Sequence, residues 1–385
     1  MDSLWLKSYG NNNKFDVLND NIDTDVCVIG SGIFGTTCAY YLSKLGFKVV
    51  LVDKGALGHG TTGFSTGKIT SQHGLFYDYL INSFGMDFAY DYLNANEDAI
   101  ENIKKIIDYE NIKCDFEFKN NFVYTTKTSD LEHLQKEKLA LENLNYSCDL
   151  VSKTSLPFDI QGALCFKNQA QFNPTKYINS LYVSILNNKG VIFSNTLITD
   201  VKQDDDFCYV YNYDNIIKSK FVIIATHFPF INVPGFYFTK MYQSTSYALA
   251  IDTKKTLPSG MYISSSEPIF SFRTAKYDGK DLLIVVGADH KTGNSVNYES
   301  TYGVLENEIK KYYPDYNILF KWSSNDCISL DKLPYVGTFS SLTPNIFVGT
   351  GFKKWGFTSS NIAANIIVDK ICGNYNKYAY LFDSS

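Results

Sequence analysis

The sequence is almost without arginine and has few charges of either sign. Its 35 basic side chains include a single arginine, Arg273, and all the others are lysines. Charged residues make up 19% of the chain, the formal net charge is -5, and no block of basic residues occurs. We therefore expect no nucleic-acid partner. The single arginine is conspicuous, because a planar guanidinium can bind a carboxylate at two points and an ammonium group cannot.

Cysteine motifs and long apolar runs are also missing. The eight cysteines are scattered, and none forms C-x-x-C or lies at ligand spacing from a histidine, so we expect reduced thiols and no metal site. The start, MDSLWLKSYGNNN, lacks the apolar core of a signal peptide, which predicts a cytoplasmic protein with an irregular N-terminal arm over residues 1–24. The longest uncharged stretch, 221–239, contains His227 and two prolines, so we expect no membrane span.

The segment from Asp25 to Lys54 carries the strongest motif of the chain. The apolar run VCVI leads into GSGIFG at residues 30–35, where helical periodicity begins. A G-x-G-x-x-G turn between a strand and a helix brings backbone close to a pyrophosphate at the helix N-terminus. A second apolar run ends at Asp53, 18 residues after Gly35, near the spacing of a carboxylate that binds an adenosine ribose. The segment therefore predicts a dinucleotide site.

The next segment, KGALGHGTTGFSTGK at residues 54–68, is dense in glycine, serine and threonine. Small residues and hydroxyl groups at this density predict a loop whose backbone lies along a bound pyrophosphate and ring. A flexible surface loop is the alternative interpretation.

Helices and antiparallel strands are expected in the rest of the chain. Alternating apolar residues between Tyr242 and Asp289 predict a sheet with one covered face, and the run KSKFVIIAT at 218–226 predicts a buried strand. The glycine loop 350–357 precedes a final helix, whose N-terminus can face a negative charge. The expected helices cover about 86–107, 129–144, 173–190, 302–313 and 358–371. The second of these is expected to open with a capping box from Ser129 to Glu132, and the third with Asn173 as N-cap and Pro174 at its first position.

Three segments carry a resemblance to the D-amino acid oxidase, glycine oxidase and sarcosine oxidase type of FAD-dependent oxidoreductase. They are VCVIGSGIFG with Asp53, KSKFVIIAT, and GTGFKKWGFTSSNIAANII. More narrowly, TTGFSTGKITSQHGLFY, DKLPYVG and GTGFKKWGFTSS resemble the flavin part of bacterial oxidoreductases that often carry a C-terminal Rieske iron-sulfur domain. The sequence has no C-x-H or C-x-x-H, so we expect the Rieske part to be missing.

The resemblance implies an α/β flavoprotein with two domains. The first would be an FAD/NAD(P)-binding Rossmann-like domain of the glutathione-reductase type, built from residues 1–85, 150–235 and 325–385. The second would be an α+β substrate domain with an antiparallel sheet, built from residues 86–149 and 236–324.

Carried over position by position, the resemblance also implies an FAD site. The first glycine turn would hold the pyrophosphate, and Asp53 the adenosine ribose. The last helix would place its N-terminus at the flavin N1 and C2 carbonyl, where it would stabilise negative charge as the ring accepts hydride. The residues expected to bind FAD are Gly30, Ser31, Gly32, Ile33, Phe34, Gly35, Asp53, Lys54, Thr61, Thr62, Thr66, Gly67, Lys68, Val201, Ala225, Thr226, Gly351, Trp355, Gly356, Phe357 and Thr358.

This sequence departs from the family pattern at positions that concern the substrate. Asn325-Asp326-Cys327 stand where several members have an arginine that binds a substrate carboxylate, and Thr358 stands where sarcosine oxidases have a lysine. Cys327 also lies closer to Asp331 than the flavin-linked cysteine of some relatives lies to its turn aspartate. We therefore expect noncovalent FAD.

Three residues are candidates for catalysis or substrate binding: His73, Arg273 and Lys354. His73 follows the hydroxyl-rich loop and is either an acid-base group of the pocket or a structural histidine. Arg273 either binds a substrate carboxylate or forms a structural salt bridge. Lys354, like Trp355, lies in the loop expected to face the flavin.

The main functional hypothesis is an FAD enzyme that oxidises a small amine or amino acid by hydride transfer to flavin N5. One alternative is a flavoprotein electron-transfer component that works with a separate iron-sulfur partner as electron acceptor. Another is an NAD-dependent dehydrogenase, which the second cofactor segment and the C-terminal glycine loop oppose.

Overall fold

Two β-sheets organise the part of the chain that the structure, a computed structural model, describes: residues 3–9, 15–294 and 297–383. The helices are α1 Leu4–Tyr9, α2 Ile33–Lys44, α3 Tyr77–Phe84, α4 Met86–Tyr109, α5 Leu131–Asn143, α6 Pro174–Asn187, α7 Tyr237–Lys240, α8 Tyr298–Tyr312 and α9 Gly356–Ile371. The strands are β1 Ile22–Ile29, β2 Val49–Val52, β3 Lys68–Ile69, β4 Glu117–Thr125, β5 Asp149–Val151, β6 Gly162–Gln171, β7 Val191–Phe193, β8 Asp200–Gln203, β9 Cys208–Tyr211, β10 Ile216–Ile224, β11 Met241–Asp252, β12 Met261–Ser264, β13 Phe270–Tyr277, β14 Lys280–Lys291, β15 Asn317–Ser329, β16 Tyr335–Ser340 and β17 Thr343–Thr350.

The first sheet contains the predicted dinucleotide unit. Its strand order is β16-β17-β10-β1-β2-β7, in which β17 to β7 run parallel and β16 runs antiparallel at the edge. The first half of β10 also pairs with β9, which pairs with β8, so a small antiparallel unit branches from the sheet. Helices cover one face of the parallel strands, and the antiparallel unit of β8 and β9 covers the other. The strands are therefore apolar on both faces. The predicted Rossmann-like fold is confirmed.

The second sheet has the order β15-β11-β14-β13-β12-β4-β6-β3, with β5 also paired to β6. All of its pairs are antiparallel except β4 with β12. Its outer face packs against α8 through Tyr302 and Leu305, and its inner face packs against Trp5 of α1. The predicted antiparallel sheet is therefore present, with both faces covered in part.

The strands of the second sheet do not follow the domain boundaries expected from the sequence. β6 lies within 150–235 but pairs with β4, and β15 continues past residue 325 without a break. The division at residues 150 and 325 thus stays a prediction about domains, because strand pairing does not follow it. No described helix is both long and apolar enough to cross a membrane.

Several local predictions need correction. The arm expected to be irregular contains α1 and the start of β1, while residues 1–2 and 10–14 lie outside the described residues. α3 was not expected at all. α5 begins after a short 3₁₀ turn at Thr128–Asp130 and no described side chain caps it, so the expected capping box does not form. Asn173 does cap α6 by accepting the Lys176 N–H at 3.2 Å.

Candidate active site

Backbone packing fixes the first glycine turn. Gly30 has a φ of +110°, and a Cβ atom there would lie 2.4 Å from the carbonyl oxygen of Ala225. A Cβ atom on Gly35 would lie 2.0 Å from Gly30 O, because α2 begins directly beside the end of β1. These two positions therefore require glycine for the fold itself.

Gly32 differs from these two glycines because it borders an opening. A Cβ atom there would have one described neighbour within 4 Å, Thr62 Oγ1 at 3.4 Å. The same oxygen accepts the Ile33 N–H at 2.9 Å, and within the described residues no side chain caps α2 from its N-cap position. The first turn of a helix has N–H groups without intrahelical partners. The N-terminus of α2 therefore fits an anionic group such as a pyrophosphate.

Asp53 lies at the end of β2 and holds the turn together. Its Oδ2 accepts hydrogen bonds from the Ser31 N–H at 2.8 Å and the Ser31 hydroxyl at 2.6 Å, and its Oδ1 accepts one from the Gly55 N–H at 3.0 Å. A carboxylate can accept more than these three bonds. The geometry thus leaves room for the predicted bond from a ribose hydroxyl, while the neighbouring Lys54 is exposed.

The glycine-rich segment 54–68, called the second loop from here on, accepts hydrogen bonds from distant side chains. Four consecutive carbonyl groups, at residues 63–66, each accept a hydrogen bond from a side chain far away in sequence. The pairs are Ser3 Oγ to Gly63 O, Trp322 Nε1 to Phe64 O at 2.9 Å, Trp5 Nε1 to Ser65 O at 2.7 Å, and Arg273 Nη1 to Thr66 O at 2.6 Å. The loop is therefore fixed between α1 and the second sheet, which disfavours the alternative of a flexible surface loop.

Arg273 is one of these donors, and it is buried at 3% exposure. Its guanidinium also donates to Thr274 O at 2.9 Å and Phe172 O at 3.4 Å, and it lies 5.2 Å from the ring of Trp5. Burial lowers its pKa to about 9, so it stays charged at neutral pH. Among the described residues no carboxylate is within 4 Å of it, so the geometry matches neither a salt bridge nor a group pointing at substrate.

Lys68 follows this loop and is also buried. Gly67 before it has a φ of +69°, and a Cβ atom there would lie 2.5 Å from Phe172 O. Lys68 Nζ donates to Tyr262 O at 2.8 Å and to Ser271 Oγ at 2.6 Å, two groups of the second sheet. Burial, and then the charge of Arg273, lower its pKa to about 7.

His73 connects the second loop to the final helix. Its Nε2 lies 2.8 Å from Thr70 O and 3.2 Å from Thr358 Oγ1, and its Nδ1 lies 2.7 Å from the Tyr92 hydroxyl. Because a carbonyl can only accept, Nε2 carries the proton and Nδ1 accepts from the Tyr92 hydroxyl. Burial lowers the His73 pKa to about 3. With both ring nitrogens bonded, the geometry favours the structural alternative over an acid-base role.

The glycine loop before α9 takes an unusual backbone path. Gly351, Lys353 and Lys354 all have positive φ angles, of +73°, +47° and +69°. Such angles are uncommon for lysine, and a bond from the Lys353 N–H to Cys327 O at 3.1 Å holds the loop against β15. Trp355 is the N-cap residue, and within the described part of the chain no side chain caps α9. The helix N-terminus at Gly356 therefore fits a negatively charged group.

The lysines of this loop point in different directions. Lys354 Nζ forms an ion pair with Asp289 of β14. Lys353 Nζ lies 4.5 Å from the centre of the Phe76 ring, and burial lowers its pKa to about 8. Trp355 stacks on His73, with ring centroids 5.1 Å apart.

The other predicted FAD residues are placed unevenly. Ala225 and Thr226 follow β10 beside the first glycine turn, with the Ala225 N–H bonded to Ile29 O at 2.8 Å. Phe34, Val201 and Phe357 are buried in apolar clusters, so their side chains contribute packing. Thr61 Oγ1 donates to Asn325 O at 3.0 Å, which joins the second loop to β15.

Sequence reasoning missed a polar strip on the inner face of the second sheet. Ser246 of β11 lies directly opposite Ser324 of β15, and neither hydroxyl has a partner among the described residues although both oxygens are shielded from solvent. Asp326 follows two positions along β15 and therefore shares this face. Along β15, the strip lies beside the carbonyl groups of Asn325 and Cys327, which bind the second loop and the glycine loop. Only cross-strand register reveals it, and no sequence motif marks it.

These elements together define a class of protein. Four features converge between the two sheets. They are a helix N-terminus that borders an opening after a glycine turn, a ribose-type carboxylate, a fixed second loop, and a second helix N-terminus that no described side chain caps. Such a constellation is that of a dinucleotide-dependent oxidoreductase. A family model described as FAD dependent oxidoreductase matches residues 25–370. The chain belongs to this family, FAD is its cofactor, and the resemblance seen in the sequence is confirmed.

Individual relatives agree with this assignment. The putative Rieske 2Fe-2S iron-sulfur protein YhfW of Bacillus subtilis is 36% identical over 372 residues, which cover 97% of this chain and 73% of that protein. Gamma-glutamylputrescine oxidoreductase of Escherichia coli is 22% identical, and the match covers 98% of this chain and 90% of that protein.

Solved structures share the fold at low identity. Glycine oxidase from Geobacillus kaustophilus has a TM-score of 0.80 at 14% identity, covering 95% of this chain and 99% of that one. L-proline dehydrogenase from P. horikoshii has a TM-score of 0.79 at 16% identity, covering 94% and 97%.

Proposed function

We propose that this protein oxidises a small amine or amino acid by transferring hydride from the carbon next to nitrogen to N5 of FAD. One observation carries the proposal. The N-terminus of α9, which no described side chain caps, lies against Thr70, two residues after the second loop, through Thr358 Oγ1 and His73. A helix N-terminus in that position favours negative charge, which is what a flavin gains on accepting hydride. The bound FAD supplies the hydride acceptor.

The residues of this chain would bind and orient. The N-terminus of α2 and the open side of Gly32 would take the pyrophosphate, and Asp53 the ribose. The donors behind residues 63–66 would keep the second loop in one conformation against the ring. Buried His73 and Arg273 would act as positioning residues, because His73 is bonded to Thr70 O just after that loop and Arg273 to Thr66 O within it. Preorganised polar groups need no rearrangement during reaction.

The names of similar proteins support this substrate class. Glycine oxidase and L-proline dehydrogenase are named for amino acids, and gamma-glutamylputrescine oxidoreductase for an amine. All three names describe oxidation of a compound with a carbon-nitrogen bond.

The test is flavin reduction without oxygen. The purified protein is expected to be yellow, to release FAD on heating, and to lose flavin absorbance when a panel of amines and amino acids is added. Failure of every amine and amino acid, with FAD bound and dithionite still able to reduce it, would contradict the proposal.

A second candidate function rests on a specific observation. The relative YhfW is named as a Rieske iron-sulfur protein, and this chain covers 73% of it. Under this alternative, the reduced flavin would pass electrons to a separate [2Fe–2S] protein. Anaerobic mixing of the dithionite-reduced protein with an oxidised Rieske protein would test this alternative. The absorbance of oxidised flavin is then expected to return as the Rieske protein is reduced.

A further inference from the structure

Asp326 occupies the junction of the two loops that face the proposed flavin site. The residue before it, Asn325, accepts a hydrogen bond from Thr61 Oγ1 of the second loop at 3.0 Å. The residue after it, Cys327, accepts one from the Lys353 N–H of the glycine loop at 3.1 Å. The backbone around Asp326 is thus tied to both loops, which fixes its position relative to the cofactor site.

The side chain of Asp326 lies on the inner face of the second sheet. In the pairing of β11 with β15, Ser244 lies opposite Asp326, Ser246 opposite Ser324, and Ala248 opposite Trp322. Trp322 donates to the second loop from this inner face. Because side chains alternate along a strand, Ser324 and Asp326 share the face of Trp322. Asp326 therefore points toward the cofactor site and away from α8.

Two hydroxyl groups beside Asp326 indicate a ligand. Ser246 is 7% exposed, and within the described residues its Oγ has no hydrogen-bond partner. The Oγ of Ser324, directly opposite, is equally shielded and equally without a partner in the described part of the chain. Buried polar groups in native proteins are nearly always bonded. Two orphaned hydroxyls on one strip are explained if a polar ligand binds there.

The charge at this junction is negative. Among the described residues no hydrogen bond or ion pair reaches the Asp326 carboxylate, although Lys354 and Asp289 are near enough to affect it. Those two groups pair with each other. Two carboxylates therefore share one ammonium group, and a partly buried carboxylate without a partner is stabilised when a cation joins it.

The cations that could receive an anionic substrate are engaged elsewhere. Arg273 donates to three carbonyl groups, and Lys68 to Tyr262 and Ser271. Lys353 lies over the ring of Phe76, in an aromatic pocket that also contains His73. A substrate carboxylate placed beside Asp326 would meet a like charge instead of a partner.

We propose that Asp326 is the specificity-determining residue of this enzyme and that it binds an ammonium group of the substrate. Nitrogen must be uncharged to donate its electron pair as the neighbouring carbon loses hydride. The ammonium held by Asp326 is therefore a second one, and the substrate class is a diamine or longer polyamine, not a 2-amino carboxylate. The orphaned hydroxyls of Ser246 and Ser324 accept from the same ammonium. The inference rests on the proposed amine oxidation and names its substrate class.

Matched probes test this proposal on the FAD-loaded enzyme. Diamines from 1,3-diaminopropane to 1,6-diaminohexane are compared with monoamines and with amino carboxylates of the same carbon number, by anaerobic flavin reduction. We expect at least one diamine to half-saturate reduction at a concentration about tenfold or more below its monoamine, the scale of a hydrogen bond to a charged group. Amino carboxylates of equal length are expected to be the poorest.

Variants then assign the effect to Asp326. Asp326→Asn keeps the shape and removes the charge, so the advantage of the diamine over the monoamine should shrink to about twofold or less. Asp159→Asn, at an exposed site, changes the net charge equally and should leave the advantage intact. If Asp326→Asn loses flavin, a second measurement replaces this variant. The melting temperature of the unaltered holoenzyme is then expected to rise more with a diamine than with the matching monoamine.

The outcomes separate two kinds of failure. If no amine or amino acid reduces the flavin, the proposed function itself fails. If amino carboxylates reduce it at lower concentration than diamines, and Lys353→Gln rather than Asp326→Asn weakens them, amine oxidation stands and the role of Asp326 is overturned. An equal response of diamine and monoamine in the unaltered enzyme overturns it as well.

Discussion

Two glycines of the same motif have different physical roles at the scale of single residues. A Cβ atom on Gly35 would lie 2.0 Å from Gly30 O, and no side chain is available to move out of the way. A Cβ atom on Gly32 would lie 3.4 Å from Thr62 Oγ1 and otherwise meet open space. Gly35 is therefore required for the packing of the fold, and Gly32 for the space that a ligand needs.

A pair of alanine variants should separate these roles. Gly32→Ala is expected to fold with an almost unchanged melting temperature as apoprotein, yet to bind FAD much more weakly, because its methyl group enters the space of the pyrophosphate. Gly35→Ala is expected to be destabilised by about 3 kcal/mol or more, since overpacking against backbone has no easy relief. Thermal unfolding of the apoproteins and flavin titration measure both effects. Normal FAD affinity in Gly32→Ala would contradict the assignment of this turn.

Lys68 should give the apoprotein a distinctive dependence on pH. Its folded pKa of about 7 is below the ordinary value of 10.5, mainly because burial disfavours the charged form. Below pH 7 both the folded and the unfolded chain carry this proton, and the folded state bears the full cost of the buried charge. As pH rises from 7 toward 10.5 the folded chain has released the proton and the unfolded chain has not, so stability increases.

The variant Lys68→Met should lack this increase. Denaturant midpoints of the apoprotein at pH 7, 8 and 9 are expected to rise less steeply in Lys68→Met than in the unaltered protein. Lys153→Met, which removes an exposed ammonium, is the control and should keep the full slope. Equal slopes in all three proteins would show that Lys68 titrates near its ordinary pKa.

At the scale of elements, the second loop depends on other parts of the chain. α1, β13 and β15 each supply a side-chain donor to its carbonyl groups. A loop of glycines and small hydroxyl residues has high conformational entropy when free. These donors therefore keep in one conformation a segment that would otherwise be mobile. They also explain why the only arginine is buried without an ion pair among the described residues.

Arg273→Lys should consequently affect the cofactor before the substrate. Lysine cannot reach several carbonyl groups at once, so buried carbonyls lose a partner at a cost of about 1–3 kcal/mol. We expect a lower melting temperature and weaker FAD binding, with the concentration of amine needed for half-maximal reduction unchanged in the fraction that keeps flavin. Trp5→Phe, which removes one other donor to the same loop, should shift FAD affinity in the same direction. A change confined to substrate affinity would restore the substrate-anchor hypothesis.

At the scale of the whole molecule, the site lies between two sheets that have no strand in common among the described residues. The second loop, the glycine loop and α9 bring residues from both sheets to one place. A cofactor bound there contacts both, so FAD should stabilise the association of the sheets as well as its own site.

Removal of FAD should therefore destabilise the entire chain. A ligand present at about 100 times its dissociation constant contributes about 2.7 kcal/mol to unfolding free energy. We expect the apoprotein to melt at a lower temperature and to be cut by protease first within residues 54–73, where the loop loses its ligand. Readdition of FAD should reverse both changes. Equal protease resistance with and without FAD would place the cofactor elsewhere.

The sequence alone determined the features that depend on neighbours along the chain. The glycine turn, Asp53 at the end of the second strand, and the cap and first proline of α6 follow from spacing, periodicity and local backbone chemistry. The fold class was implied by the resemblance of three segments to a known family. A short strand-turn-helix unit leaves little freedom in how these residues meet.

Only the tertiary structure decided which distant groups meet. The destination of Arg273, the parallel pairing of β4 with β12, and the strip of Ser246, Ser324 and Asp326 all depend on strand register between segments far apart in sequence. Register sets which side chains share a face and which carbonyl groups lie within reach of a donor, and no local pattern specifies it. The sequence therefore predicted an FAD enzyme from local motifs. The negatively charged site around Asp326, which selects the proposed substrate, was visible only in the folded sheets.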